Sequence, residues 1–197
     1  MKITRRELNK INCRKRILKA SRKLFSSKGY EETMIEDIAQ RAEVSKATVY
    51  NYFPSKESLL IGTVDEVCER MYLLSDKELA DCKDSGQKLK EVFAEFVRAS
   101  LDYPSLSRRI TYLNSCEDSA LYDTRRRIMT LFRDLITAAQ GEGVFRADAE
   151  PDEMADLLMG VYLIALFQWQ RVEQYTPEEL NDKLERAFQS VMHLYYA

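Results

Sequence analysis

The 197-residue sequence predicts an all-α chain of about nine helices. Three observations support this. Leu, Ala, Glu, Lys and Arg, all strong helix formers, abound. Gly and Pro number only 6 and 4, so little interrupts the helices. The apolar residues recur every three or four positions, and no stretch shows the alternation of a strand. With 45% apolar and 31% charged residues, the chain can bury a core and lacks the composition of a disordered one.

From about Asn9 to Lys28, Ile17, Leu18, Leu24 and Phe25 form one apolar stripe on a basic helix, and Gly29 suits the position after its end. Thr33 is placed to cap the second helix. Glu36, three residues on, completes a capping box, and Ile35, Ile38 and Ala39 face inward. "EVS" makes a tight turn, and Ser45 caps a short third helix that holds Val49 and Phe53 in the core. Pro54 closes that helix, because proline disfavours a helical residue before it. Ser55 caps a long fourth helix, with Leu60, Val64, Val67, Met71 and Leu74 on its buried face. After the polar "DCKDSGQ", Leu89, Val92, Phe93, Phe96 and Val97 mark a fifth helix, which "YPS" ends while opening a short sixth. Leu121, Ile128, Met129, Phe132, Leu135 and Ile136 mark a seventh, and "GEGVFRADAEP" is the clearest later loop. The eighth, about Asp152 to Val172, is apolar nearly all round between Leu157 and Phe167. The ninth carries Leu180, Leu184, Ala187, Phe188, Val191 and Leu194 on one stripe. Residues 1–55 form one unit by this reading and residues 56–197 another.

The net charge of −2 conceals a division. Residues 1–60 hold 14 Lys/Arg against 7 Asp/Glu, and the other 137 hold 16 against 25. A basic first third on an acidic body suggests a polyanion partner at one end only. The run "LLMGVYLIALF" is too short for a membrane span. The basic N-terminus is not followed by an apolar stretch and cleavage site, so a cytoplasmic protein is expected. Cys13, Cys68, Cys82 and Cys116 are far apart, with neither C-x-x-C nor a nearby histidine, and read as reduced thiols; no metal site or cofactor is expected. The one histidine, His193, sits beside Leu194 and Tyr195. With no G-x-S-x-G, Walker or dinucleotide motif, catalysis is not expected.

A helix, a tight turn and a second short helix with small polar residues at its start is the helix-turn-helix arrangement. Its second helix enters the DNA major groove. Ala47 and Thr48 are small enough for close approach, Lys46 brings charge, and the Tyr50 and Tyr52 hydroxyls can reach phosphates or base edges. Beyond this general pattern, Leu24 to Leu60, "LFSSKGYEETMIEDIAQRAEVSKATVYNYFPSKESLL", resembles the DNA-binding domain of the TetR family of transcriptional regulators. "GY", "IA", "VSKAT-Y-YF" and "SKE-LL" occur in the family's order. The resemblance implies a three-helix reading head joined by the long fourth helix to an effector-binding and dimerisation body. It implies that Lys46, Ala47, Thr48 and Tyr50 face the bases or adjacent phosphates and that Asn51, Tyr52 and Lys56 hold the backbone. Thr33 would anchor another phosphate, and Ser45 opens the reading helix. Two positions depart from the family pattern. Glu43 stands where glycine is frequent, and Met34 where threonine is frequent.

An eighth helix apolar on two sides needs a second surface to cover it. Leu157, Gly160, Val161 and Ala165, joined by Leu184, Phe188 and Val191 of the ninth, are expected at a homodimer interface. A small-molecule effector site is expected inside the body, among large or adaptable side chains. These are Met71, Phe93, Phe96, Tyr112 and Cys116; Arg125, Met129 and Phe132; and Tyr162, Phe167 and Trp169. The same residues would also fill a plain helical core, and their spacing does not separate the two. Arg125 would suit an anionic ligand. The expected whole is a homodimeric repressor on an inverted-repeat operator in double-stranded DNA, released by its effector. A regulator without an effector, or a helical interaction protein with a vestigial head, also fits the sequence.

Overall fold

The computed structural model describes residues 4–113, 121–168 and 175–197. These contain nine α-helices and no strand longer than an isolated bridge. They are α1 (Arg5–Ser27), α2 (Ile35–Arg41), α3 (Lys46–Tyr52), α4 (Lys56–Leu73), α5 (Ser85–Leu101), α6 (Pro104–Leu113), α7 (Tyr122–Gly141), α8 (Pro151–Gln168) and α9 (Pro177–Met192). A five-residue π turn, Leu74–Glu78, follows α4, and a short 3-10 turn, His193–Tyr195, follows α9. None of the described helices is long and apolar enough to cross a membrane.

Helix starts follow local chemistry. Thr4 and Glu7 form a reciprocal capping box, which starts α1 four residues earlier than the apolar stripe suggests. The expected Thr33 cap is corrected. The Asp37 carboxylate accepts from Met34 N at 3.1 Å, so α2 opens one residue later. Thr33 is buried and donates its hydroxyl proton to the Gly29 carbonyl at 2.7 Å. Ser45 and Ser55 cap α3 and α4 as expected, each accepting from the amide three residues on. The "GEGVFRADAEP" loop is anchored by the C-terminus. Phe145 bridges to Tyr196, and Arg146 N donates to Tyr195 O at 2.8 Å.

Two hydrophobic cores result. The larger joins α4, α5, α7, α8 and α9 around Met71, Phe93, Phe132, Leu158 and Phe188. The smaller joins Ile17, Leu18 and Phe25 of α1, Ile38 of α2, Val49 of α3, Phe53, and Leu59 and Leu60 of α4. It also takes in Leu106 of α6 and Leu121, from well beyond residue 56. Gly62 brings α4 against this core. A Cβ there would lie 2.9 Å from both Leu18 Cδ2 and Phe53 Cε1. The boundary at residue 55 therefore divides the chain but not its packing.

Two helix ends have the same design. After α7, Gly143 takes φ 75°, Val144 N donates to Ala139 O at 2.9 Å, and Gly143 N donates to Gln140 O at 3.0 Å. After α2, Glu43 takes φ 55°, Val44 N donates to Ala39 O at 3.0 Å, and Glu43 N donates to Gln40 O at 3.2 Å. Both are Schellman endings, and a left-handed residue other than glycine costs roughly 1–2 kcal/mol. Glycine would also add freedom to the unfolded chain, so Glu43→Gly is expected to gain about 0.5–1 kcal/mol net. Thermal melts at matched protein concentration should shift upward by roughly 1–4 °C. An unchanged or lower midpoint would contradict the assigned strain.

Candidate nucleic-acid interface and ligand cavity

The short helix α3 is held from one side only. Val49 and the adjoining Phe53 are buried, whereas Ser45, Lys46, Ala47, Tyr50 and Asn51 are exposed and Thr48 is half-buried. The Thr48 hydroxyl lies 2.8 Å from Ser45 Oγ at the N-terminus, where exposed amides favour an anion. Lys46 is not idle. It pairs with Glu36 of α2 and sits 5.9 Å above the Tyr50 ring. The hydrogen bond from Lys46 holds the Glu36 carboxyl below its ordinary range. Arg16 of α1 reaches the Glu43 carbonyl at 3.4 Å, bracing the turn between α2 and α3.

Two expected phosphate ligands face elsewhere. Tyr52 is half-buried with its hydroxyl beside Cys13, and burial is the first cause of its raised pKa. Lys56 donates to three carbonyls, Tyr30 O at 2.7 Å, Glu31 O at 3.1 Å and Thr33 O at 3.3 Å. Its ammonium also lies 4.5 Å from the Tyr30 ring centre. An ammonium has three protons to donate. Lys56 thus clips the turn between α1 and α2, which the position of a lysine in sequence does not reveal.

A cavity of about 320 Å³ lies between α4, α5, α6, α7 and α8. Val64, Val67, Phe96, Leu106, Ile110, Ile128, Met159 and Leu163 supply apolar wall, and Thr63, Ser100, Ser107, Thr111, Thr124 and Tyr162 supply hydroxyls. Arg22 of α1 also lines it, together with Asp102 and Arg125, both exposed. Helix α6 borders both this cavity and the core of the head. One side of it lines the cavity through Ser107, Ile110 and Thr111, while Leu106 enters the smaller core and Arg109 pairs with Glu31. The Arg109 guanidinium stands 5.2 Å from the Tyr30 ring that Lys56 also covers.

Residues 17–62 match the family model described as bacterial regulatory proteins, tetR family. The HTH-type transcriptional repressor KstR of Mycolicibacterium smegmatis is 28% identical over 160 residues, covering 79% of this chain and 76% of that protein. The fatty acid degradation regulator FadR of Bacillus halodurans superimposes with a TM-score of 0.77 at 19% identity, over 90% of this chain and 97% of that one. FadR of Bacillus subtilis, solved with stearoyl-CoA, gives 0.73 at 16% identity, over 90% and 96%. At such identities the two structures attest the fold. Residues 17–62 are a TetR-family domain. Within it α2 and α3 are the helix-turn-helix, and α4 leads from it into the body.

Within the body, the expected effector residues separate into groups. Phe96, Arg125 and Tyr162 line the cavity. Met71, Phe93 and Phe132 are buried in the larger core and Met129 packs against it, away from the cavity. Tyr112 is 73% exposed, and Phe167 lies on the outer side of α8, so neither lines it. Cys116 and Trp169 fall outside the described residues. The hydroxyls of α5, α6 and α7 were missed, although Ser100, Tyr103, Ser107 and Thr111 recur at helical spacing and could have marked a polar line beside an apolar face. The expected interface also changes. Val161, Ala165, Leu184 and Phe188 are buried within the single chain, and Val191 packs against the same core. The apolar face left open on α8 runs through Leu157 (46% exposed), Gly160, Ile164 (49%) and Phe167 (47%), and a Cβ at Gly160 would meet no atom within 4 Å.

Lys56→Met is expected to lower stability by about 1–3 kcal/mol in the absence of DNA, because three carbonyls, two of them in partly buried contacts, lose a charged donor. Chemical denaturation checks this. Unchanged stability with weakened DNA binding would return Lys56 to the phosphate backbone.

Proposed function

We propose that this TetR-family regulator is a homodimeric repressor that reads an inverted-repeat operator through α3 and leaves it when a small molecule fills the body cavity. The observation that carries the reading is the placement of α6, which borders the cavity while Leu106 completes the head's core. A ligand pressing on Ser107, Ile110 or Thr111 acts on a helix that the head needs in one position. Release then follows from differential affinity. The ligand favours a position of α6 and α4 in which the two heads no longer match successive major grooves.

Lys46, Ala47, Thr48, Tyr50 and Asn51 are the proposed contacts with DNA, supported by their shared exposure on α3. Ser45 serves as cap and Thr33 and Lys56 as supports for the reading helix. The dimer is supported by the open face of α8, since a two-fold site requires a two-fold protein. Relatives named as transcriptional repressors support the direction of control.

Operator selection from random DNA should return an imperfect inverted repeat. Thr48→Ala and Tyr50→Ala should each cost roughly 1–3 kcal/mol of specific binding. Operator affinity left intact by both changes together would refute the role of α3. On the body, Ile164→Asp with Phe167→Asp should give folded monomers by light scattering, because two carboxylates would have to be buried at the interface. A double variant that stays dimeric would exclude this face.

A further inference from the structure

Seven hydroxyl side chains line the cavity, and four of them already donate their protons within the protein. Thr63 donates to Leu60 O at 2.7 Å, Ser100 to Phe96 O at 2.9 Å, Ser107 to Ser100 O at 2.8 Å, and Thr124 to Asp65 Oδ1 at 2.9 Å. Tyr103 turns its ring to the Arg22 guanidinium, 5.8 Å away, and Tyr162 and Thr111 are held more loosely than the four. Their oxygens are 3.3 Å apart, longer than an ordinary O–H···O bond, and Ser100 is the other hydroxyl acting on Tyr162. The Tyr162 ring is fixed against Phe96, with centroids 4.6 Å apart, and desolvation raises the phenol's pKa, so it remains a donor. The cations bordering the cavity do not offer an uncompensated charge, although Arg22 Nε is buried without a hydrogen-bond partner. Arg22 lies 3.4 Å from the Glu66 carboxylate and faces Asp102 electrostatically, and Arg125 is exposed.

From this arrangement we infer that the cavity selects an uncharged, mostly apolar molecule bearing one hydrogen-bond-accepting oxygen, such as a ketone or ester carbonyl, and that Tyr162 and Thr111 read that oxygen. This rests on the proposed role of the cavity as an effector site and specifies its ligand class. It replaces the anionic ligand that Arg125 suggested in the sequence. A carbonyl oxygen accepts from Tyr162 or Thr111, takes the place of a long contact, and leaves the four engaged hydroxyls undisturbed. A carboxylate there would lose its hydration and meet only Arg22, whose charge Glu66 already balances. A hydrocarbon would fill the apolar walls and leave the loose pair as it is.

The test is calorimetric titration of the full chain with four eight-carbon probes, 2-octanone, octane, octanoic acid and octanoyl-CoA. The ketone should bind about five- to tenfold more tightly than octane, as one net hydrogen bond provides, and at least about tenfold more tightly than the acid. In Tyr162→Phe and Thr111→Val together, ketone affinity should fall to that of octane while octane affinity holds, which also shows that the variant is folded. Tightest binding by octanoic acid or octanoyl-CoA, or a ketone preference that survives in the double variant, overturns the inference and leaves the effector site standing. Binding of none of the four overturns the effector site itself, and the inference with it.

Discussion

The structure depends on one shared core at the joint between head and body. Leu106 and Leu121, far along the sequence, bury themselves with Ile17, Leu18, Phe25 and Phe53. Full burial of a leucine contributes roughly 1.5–3 kcal/mol. The head therefore draws a sizeable part of its stability from residues beyond it, and removing α6 would expose the inner side of α1. Gly62 makes the joint possible, since α4 can approach Leu18 and Phe53 only without a side chain there. The same leucine that borders the cavity also packs against α1, which is the contact the proposed release relies on.

Polar contacts across the joint are of two kinds. Tyr30 is covered by Lys56 from α4 and Arg109 from α6, with Glu31 paired to Arg109, so the turn between α1 and α2 is tied to the body at several points. Exposed pairs of this type contribute little singly, and their effect lies in fixing geometry. Nearer the cavity, Arg22 and Glu66 are 3.4 Å apart, and Arg22 Nε and Glu66 Oε2 are buried with no hydrogen-bond partner among the described residues. Desolvation pushes the Glu66 carboxyl upward while Arg22 opposes it. The joint thus combines a well-packed leucine with an ion pair whose hydrogen-bonding capacity is not fully met.

The helices were legible because their apolar spacing is local information, and so was the reading head, whose turn and caps follow one another within forty residues. Glu43 drew notice through the family pattern, in which glycine is frequent there, and it takes φ 55°. What failed was the direction of individual side chains. Lys56 looks like a free cation until the carbonyls of Tyr30, Glu31 and Thr33 converge on it from another turn. Val64 and Val67 carry the same periodic signal as Met71, yet line a cavity because α6 packs toward the head and leaves space behind. Phe167 and Phe132 are alike in sequence, yet one stands on the outer side of α8 and the other in the larger core. Apolar character marks what leaves water. It does not say which of two cores, or which subunit, receives it.

Native-state hydrogen exchange under increasing denaturant reports which segments open together. If α6 belongs energetically to the head, its amides near Leu106 should share the opening free energy and denaturant dependence of α1 and α4 near Gly62, and differ from those of α7 and α8. If α6 instead opens with α5, α7 and α8 while α1 opens separately, the head has its own core, and the coupling of cavity to DNA through α6 is wrong.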